Sequence, residues 1–338
     1  MTMRRIAVWM FYALLGVLMA CGKGKAEPEG PDTGNPGPGP GTGSPEPPAS
    51  VADCKKCIVL AEQLHNRVAI ADVPSGQIIW EWKPEQSNVK QQHLAWFTNT
   101  SDAKPVYDGK YILVTASGGG VALVRIADRK TVFYAYAGGN THSAELLPDG
   151  NIVSASSTGN FMTVFKVDST KAAEEVYSRN FPLAFGHNVV WDEKQQVLWS
   201  AADNHLIAFT YNFNCSDPAF TQKESKDLPG KDAHELFPVY GKNALWLTNT
   251  TNVYRYDLDT KKLEQTTGIQ PNIKSVSSGD ASLPTIIIRP KTSWWTDEVI
   301  DEKGNTVFYL NGLKIYKARW YLKNTFSYPA THNIRQCK

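Results

Sequence analysis

The chain has 338 residues, 35 Lys and Arg against 33 Asp and Glu, and a formal net charge of +2. Hydrophobic residues at 42% and aromatics at 11% exclude a wholly disordered protein. Arg4 and Arg5 supply the whole excess, so a chain cut after residue 20 is neutral and lacks the basic surplus that phosphate backbones demand.

The chain opens with a short basic stretch, Met1 to Arg5, and an apolar run of fifteen residues, Ile6 to Ala20. Fifteen is short for a membrane span, which takes about 20 residues. Basic start, short apolar stretch and small residue before a cut describe a secretory signal over residues 1–20. Leu18-Met19-Ala20-Cys21 resembles the lipobox of bacterial lipoproteins, and that resemblance implies a lipid on Cys21 as the mature N-terminus. Residues 22–50 hold eight Pro and eight Gly in 29 positions. Such a segment buries too little to offset its ordering entropy, so residues 21–50 read as a linker reaching up to ~90 Å. A lipid-anchored protein of the cell envelope is expected, on the periplasmic or surface face of the outer membrane.

Residues 51–338 repeat. His142-Ser-Ala-Glu-Leu-Leu, His187-Asn-Val-Val-Trp-Asp and His234-Glu-Leu-Phe-Pro-Val each precede a turn and an apolar strand, at Asn151–Ser157, Val197–Ala202 and Ala244–Asn249. Further turns lead to alternating and then more polar strands, an antiparallel pattern. The spacings, 187 − 142 = 45 and 234 − 187 = 47, suit four-stranded propeller blades. Asp102 to Val106, Tyr111–Ser117, Val121–Asp128 and Thr131–Gly138 make another unit. Residues 273–330 make a less regular one, with Thr285–Arg289, Trp294-Trp295 and Thr306–Tyr321. Cys57–Gln63, Arg67–Val73 and Gln77–Pro84 lack an innermost strand, which His332 to Cys337 is expected to supply. The prediction is an all-β, six-bladed β-propeller whose first blade is closed by the C-terminal strand.

His65 and His205 fall in turns and read as surface residues. His142, His187, His234 and His332 each open an innermost strand, so they are expected to ring the central channel with Lys104 and Lys274. That ring is the predicted ligand site, with His142, His187 and His234 as catalytic candidates. Imidazoles and amines on one cavity suit an anion, above all below pH 6.5, where exposed His gains charge. An imidazole can also act as a general base. Three histidines with an open position could instead hold a transition metal, but no close-spaced ligand motif occurs, so that reading rests on the fold alone and no metal or cofactor is assigned. Trp294-Trp295 offers an indole for sugar stacking, with at least one ring expected in the core. The long loop Glu85 to Thr100, carrying His93 and Trp96, is a candidate cover for one channel mouth. Asp168-Ser169-Thr170 matches a short O-glycosylation motif.

The stretches Asn140 to Ser156 and Gly186 to Ala201, with the lipobox and tether, resemble uncharacterised lipoprotein propellers of Bacteroidetes-type bacteria. More distantly, Gly76 to Trp82 and Thr141 to Asn151 are similar to strand motifs of bacterial arylsulfotransferases. That likeness implies a histidine nucleophile in the channel, with His142 or a neighbour as its counterpart; propeller polysaccharide lyases also place histidines there. The sequence favours a monomer that binds a small anionic saccharide at the channel. A polyuronate lyase, a sulfotransferase-like enzyme and a protein-interaction scaffold are the alternatives. Beyond Cys21, four cysteines remain, and an exported domain keeps disulfides. Closure by the C-terminal strand would set Cys337 beside Cys57, or Cys54, leaving Cys215 unpaired.

Overall fold

The computed structural model describes residues 46, 47 and 50–329. The expected signal segment, Cys21, most of the expected linker, His332 and Cys337 lie outside the described residues.

Among the described residues, twenty-four strands form six antiparallel four-stranded sheets. Strands β1 (Cys57–Glu62), β2 (Arg67–Asp72) and β3 (Gln77–Trp82) come first, followed by the complete sheet β4 (Thr100–Val106), β5 (Tyr111–Ala116), β6 (Gly120–Arg125) and β7 (Thr131–Tyr136). The third sheet comprises β8 (Thr141–Leu146), β9 (Ile152–Ser156), β10 (Phe161–Phe165) and β11 (Ser178–Pro182). The fourth comprises β12 (Val190–Asp192), β13 (Val197–Ala202), β14 (His205–Tyr211) and β15 (Phe220–Asp227). The fifth runs β16 (Glu235–Pro238), β17 (Ala244–Thr248), β18 (Val253–Asp257) and β19 (Lys262–Gln265). The sixth runs β20 (Ser275–Ser277), β21 (Ile286–Ile288), β22 (Glu298–Asp301) and β23 (Thr306–Tyr309), after which β24 (Ile315–Trp320) joins the first. The architecture is a six-bladed β-propeller.

Burial explains the strand sequences. A middle strand of a blade is covered on both faces by neighbouring blades, so β1, β2 and β13 are buried at every position and read as nearly continuous apolar runs. Outer strands are half-solvated, and β7 alternates buried and accessible residues along its length. Blades join through large side chains: Trp199 of the fourth sheet meets Tyr256 of the fifth edge to face, ring centroids 5.9 Å apart. Each fully buried Leu or Val in these seams, Leu245 and Leu247 among them, contributes roughly 1.5–3 kcal/mol.

The ring closes through a C-terminal strand, but an earlier one than 332–337. Strand β24 occupies the innermost place, pairing Ile58 with Trp320, Val59 with Arg319 and Leu60 with Ala318. The stretch 306–321 is therefore two strands, not one. Asn311-Gly312 separates them, with Gly312 at φ +85°, a conformation open to glycine that turns the chain from the outer edge back to the axis.

The same geometry revises the disulfides. Tyr321, following β24, donates its N–H to the Cys57 carbonyl at 2.8 Å, so it holds the junction that Cys337 was expected to fill. Cys57 bonds instead to Cys54, Cα atoms 5.7 Å apart, and Cys215 is disulfide-bonded rather than unpaired.

The loop before β4 does not cover the channel. It lies on its own blade: His93 stacks on Trp96 at 3.7 Å, and His93 Nδ1 bonds the Tyr134 hydroxyl at 3.2 Å. A Cβ on Gly118 would sit 2.4 Å from the Ala95 carbonyl oxygen, so only glycine admits the loop this closely.

Candidate functional site

Each inner strand starts at the same end of the channel. At that end the chain places His142 on β8, His187 and His234 just ahead of β12 and β16, and Lys274 just ahead of β20. The three imidazoles form an arc. Ring centroids are 4.7 Å apart for His142 and His187, and 4.8 Å for His187 and His234, which are stacked. The Tyr316 hydroxyl lies 3.2 Å from His142 Nδ1, so β24 contributes a phenol to the same end. His187 Nδ1–H donates to the Phe185 carbonyl at 3.1 Å. Phe185 itself holds φ +48°, costly for a bulky residue, with its ring 4.5 Å from that of His187.

Burial sets the charge of this arc. It holds the His142 imidazole well below its ordinary value of 6.5, helped by neighbouring His187 and Lys317. Burial also lowers His187 to about 4 and, with Lys274 beside it, His234 to about 2. The imidazoles are therefore neutral at pH 7, and the expected gain of charge just below pH 6.5 does not apply to them. Lys274 carries the charge at this end. Its side chain is largely buried, which lowers its amine to about 8. No carboxylate among the described residues lies within 4.0 Å of its Nζ. The site offers one ammonium without an ion pair and three uncharged donor–acceptor rings.

Lys104 belongs deeper. Its Nζ donates to the Val189 carbonyl at 2.8 Å and pairs with Glu145 at 3.2 Å. It is one member of a buried ionic cluster in mid-channel. There Arg319 binds Asp102 through Nε and Nη2 at 3.0 and 2.8 Å and Glu235 at 3.2 Å. Lys317 stands 3.7 Å from Glu235 and donates to Asn188 Oδ1 at 3.4 Å. The cations around Asp102 hold its carboxyl near 2 against the opposing effect of burial.

The far end is closed by residues 321–329. Tyr328 donates to Glu145, and Lys323 pairs with Asp108 at 3.5 Å. A cavity of about 30 Å³ remains between Lys104, Phe237, Trp320 and Phe326, room for about one water.

Three features escaped the sequence: Tyr316, Lys317 and Arg319, all on the strand assigned to the wrong blade. Their signal is present, because Lys317 and Arg319 alternate with Ala318 and Trp320 as channel and blade faces require. Trp294 and Trp295 lie in a turn rather than a strand, so neither enters the core. Trp294 is 52% exposed, held by an Nε1–H bond to Gln63 Oε1 of 2.9 Å, and Trp295 packs under the Lys314 ammonium at 5.0 Å. His65 and His205 sit at blade turns beside Glu62 and Asp227, at 2.8 and 3.3 Å. Among the described residues, the metal-like grouping is Cys54, Cys57 and Asp72, and both of its sulfurs are in the disulfide.

Known proteins agree with this architecture. A protein of unknown function from Bacteroides caccae superposes with a TM-score of 0.55 at 15% identity, over 78% of this chain and 98% of its own. The Cps50 (Swd1) β-propeller domain of Myceliophteria thermophila gives 0.51 at 13% identity, over 78% and 88%. At these identities the likeness concerns the fold alone. No functionally curated protein matches the sequence. Residues 46–337 match one family's model, and the chain belongs to that family, the family of unknown function DUF6528.

Proposed function

We propose that this protein is a lipid-anchored propeller of the cell envelope that binds a small anionic saccharide at the histidine end of its channel. The observation that carries the reading is Lys274, a largely buried ammonium without an ion pair among the described residues, beside three neutral imidazoles. A carboxylate or sulfate would neutralise it, and the imidazoles would bond hydroxyl groups. The exposed indole of Trp294, fixed by Gln63, lies in a turn at the same end and offers an apolar face to a sugar ring. Anchoring rests on the resemblance of Leu18 to Cys21 to a lipobox, and Cys21→Ala should release the protein from membranes.

Calorimetric titration with an unsaturated-free diuronate tests the site. Lys274→Met should weaken binding at least tenfold. In the parent protein affinity should fall as pH rises through about 8, where the Lys274 ammonium deprotonates. Binding indifferent to Lys274→Met, and strengthened instead below pH 6.5, would place the ligand elsewhere.

One contact favours an enzymatic version. His142 and the Tyr316 hydroxyl, 3.2 Å apart, form a neutral imidazole–phenol pair able to accept and return a proton, as a uronate lyase requires. Ultraviolet-absorbing unsaturated product, lost in Tyr316→Phe, separates turnover from binding. Transfer of sulfate to an acceptor phenol would instead support a histidine nucleophile, and a scaffold would show neither activity nor binding.

A further inference from the structure

The fifth and sixth sheets meet less completely than the fourth and fifth. Trp199 and Trp246 hold the same place in successive blades, each twelve residues after its channel histidine, His187 or His234. Trp199 is 1% exposed and is met by Tyr256 of the next sheet. Trp246, packed towards Val276, Ile287 and Ile300 of the sixth sheet, stays half-buried. Strands β20 and β21 have three residues each and carry no aromatic ring. A cleft of about 680 Å³ opens beside the indole instead.

Two opposite charges line this cleft from different blades without a close partner. Arg255 lies directly across the strand pair from Trp246, and its Nε has no hydrogen-bond partner. Its nearest acid, Asp257, is 3.8 Å away and already accepts the Thr260 N–H and hydroxyl at 2.9 Å. Glu302, in the turn between β22 and β23, leaves its buried Oε2 without a partner and enters no ion pair among the described residues. The other acids of the lining are satisfied. Asp280 accepts the Ser282 N–H and hydroxyl at 2.8 and 2.6 Å, and Asp301 takes three donors from Lys303 and Asn305. Lys242 and Lys303 are exposed at the rim.

The lining therefore holds Lys242, Arg255 and Lys303 against Asp280, Asp301 and Glu302, and has no net charge. A lone anion would leave Glu302 unmet, and a lone cation would leave Arg255 unmet. A ligand carrying one charge of each sign answers both. The guanidinium fork suits a carboxylate, and the indole offers an apolar face.

We propose that this cleft binds a small zwitterion of the amino-acid class with an aromatic side chain. Its carboxylate goes to Arg255, its ammonium towards Glu302 and its ring against Trp246. The cleft shares no residue with the histidine arc and stands independently of any ligand there.

Calorimetric titration of the protein with phenylalanine tests this. Saturable binding is expected. Phenylpropionate and phenethylamine each keep only one of the two charges and should bind at least about tenfold more weakly. Arg255→Met should weaken phenylalanine by at least about tenfold and leave the diuronate titration unchanged. In Glu302→Gln phenylalanine should lose its advantage over phenylpropionate, because the ammonium then has no charged partner. The comparison of ligands on the parent protein decides the matter even where a variant fails to fold. Absence of saturation, equal binding of phenylpropionate to the parent protein, or phenylalanine binding that survives Arg255→Met would overturn the proposal. Lys274→Met should leave phenylalanine binding intact, so this site and the channel mouth fail separately.

Discussion

The histidine end is somewhat less buried than the middle of the channel, and the two differ above all in pairing. Asp102, Glu145 and Glu235 each meet a cation within 3.2 Å, and Ser143 adds a hydroxyl to Asp102 at 3.1 Å. At the histidine end no carboxylate pairs with any imidazole or with Lys274 among the described residues. Paired buried charge fixes how six blades meet. Unpaired buried polarity is what a ligand can use, so pairing rather than burial distinguishes scaffold from site.

The largest effect is expected in the middle. Asp102→Ala leaves the Arg319 guanidinium with Glu235 alone and removes the partner of the Ser143 hydroxyl, and should cost about 3–5 kcal/mol in urea unfolding. A loss below about 1 kcal/mol would erase the contrast between the two regions.

Acid should then separate them by pH window. The His187 pKa is depressed in the folded state, to about 4 from 6.5, so the unfolded chain binds the extra proton between those values. The stability it confers is complete above pH 6.5 and is lost as pH falls towards 4, on the order of 3 kcal/mol. Asp102, depressed to about 2 from 3.8, contributes stability lost only below pH 3.8. Urea midpoints measured from pH 7 to 3 should show the upper window shrink in His187→Ala while the lower one stays. The smallest effect is His187→Ala at pH 7, about 1 kcal/mol for the bond to the Phe185 carbonyl. A cost above about 3 kcal/mol would make that imidazole structural after all.

The sequence revealed most where blades repeat. His142, His187 and His234 stand at equivalent places ahead of inner strands, and equal places on a closed ring must converge. Lys104 and Lys274 had to be aligned without such a repeat, and only Lys274 reaches the arc; Lys104 sits a step deeper because Asp102 and Lys104 alternate on β4. The sixth blade hid β24, since short strands and long connections between residues 275 and 309 blur the period that identifies the others. Misplacing that strand also misplaced the cysteines. A pairing of Cys54 with Cys57 closes a tiny loop and depends on local backbone, which spacing alone does not disclose. The protonation of the histidines was hidden for a different reason: it follows from depth in the channel, and depth belongs to the assembled ring.

Closure by β24 also has a consequence in time. Between Glu62 and Ile315 the ribosome must deliver 315 − 62 = 253 residues, at roughly 5–20 residues per second. Strand β1 therefore waits roughly 10–50 s with one edge unpaired, displaying Ile58 to Ala61 to any passing chain. A strand buried at every position in the finished protein is thus left open in the nascent one.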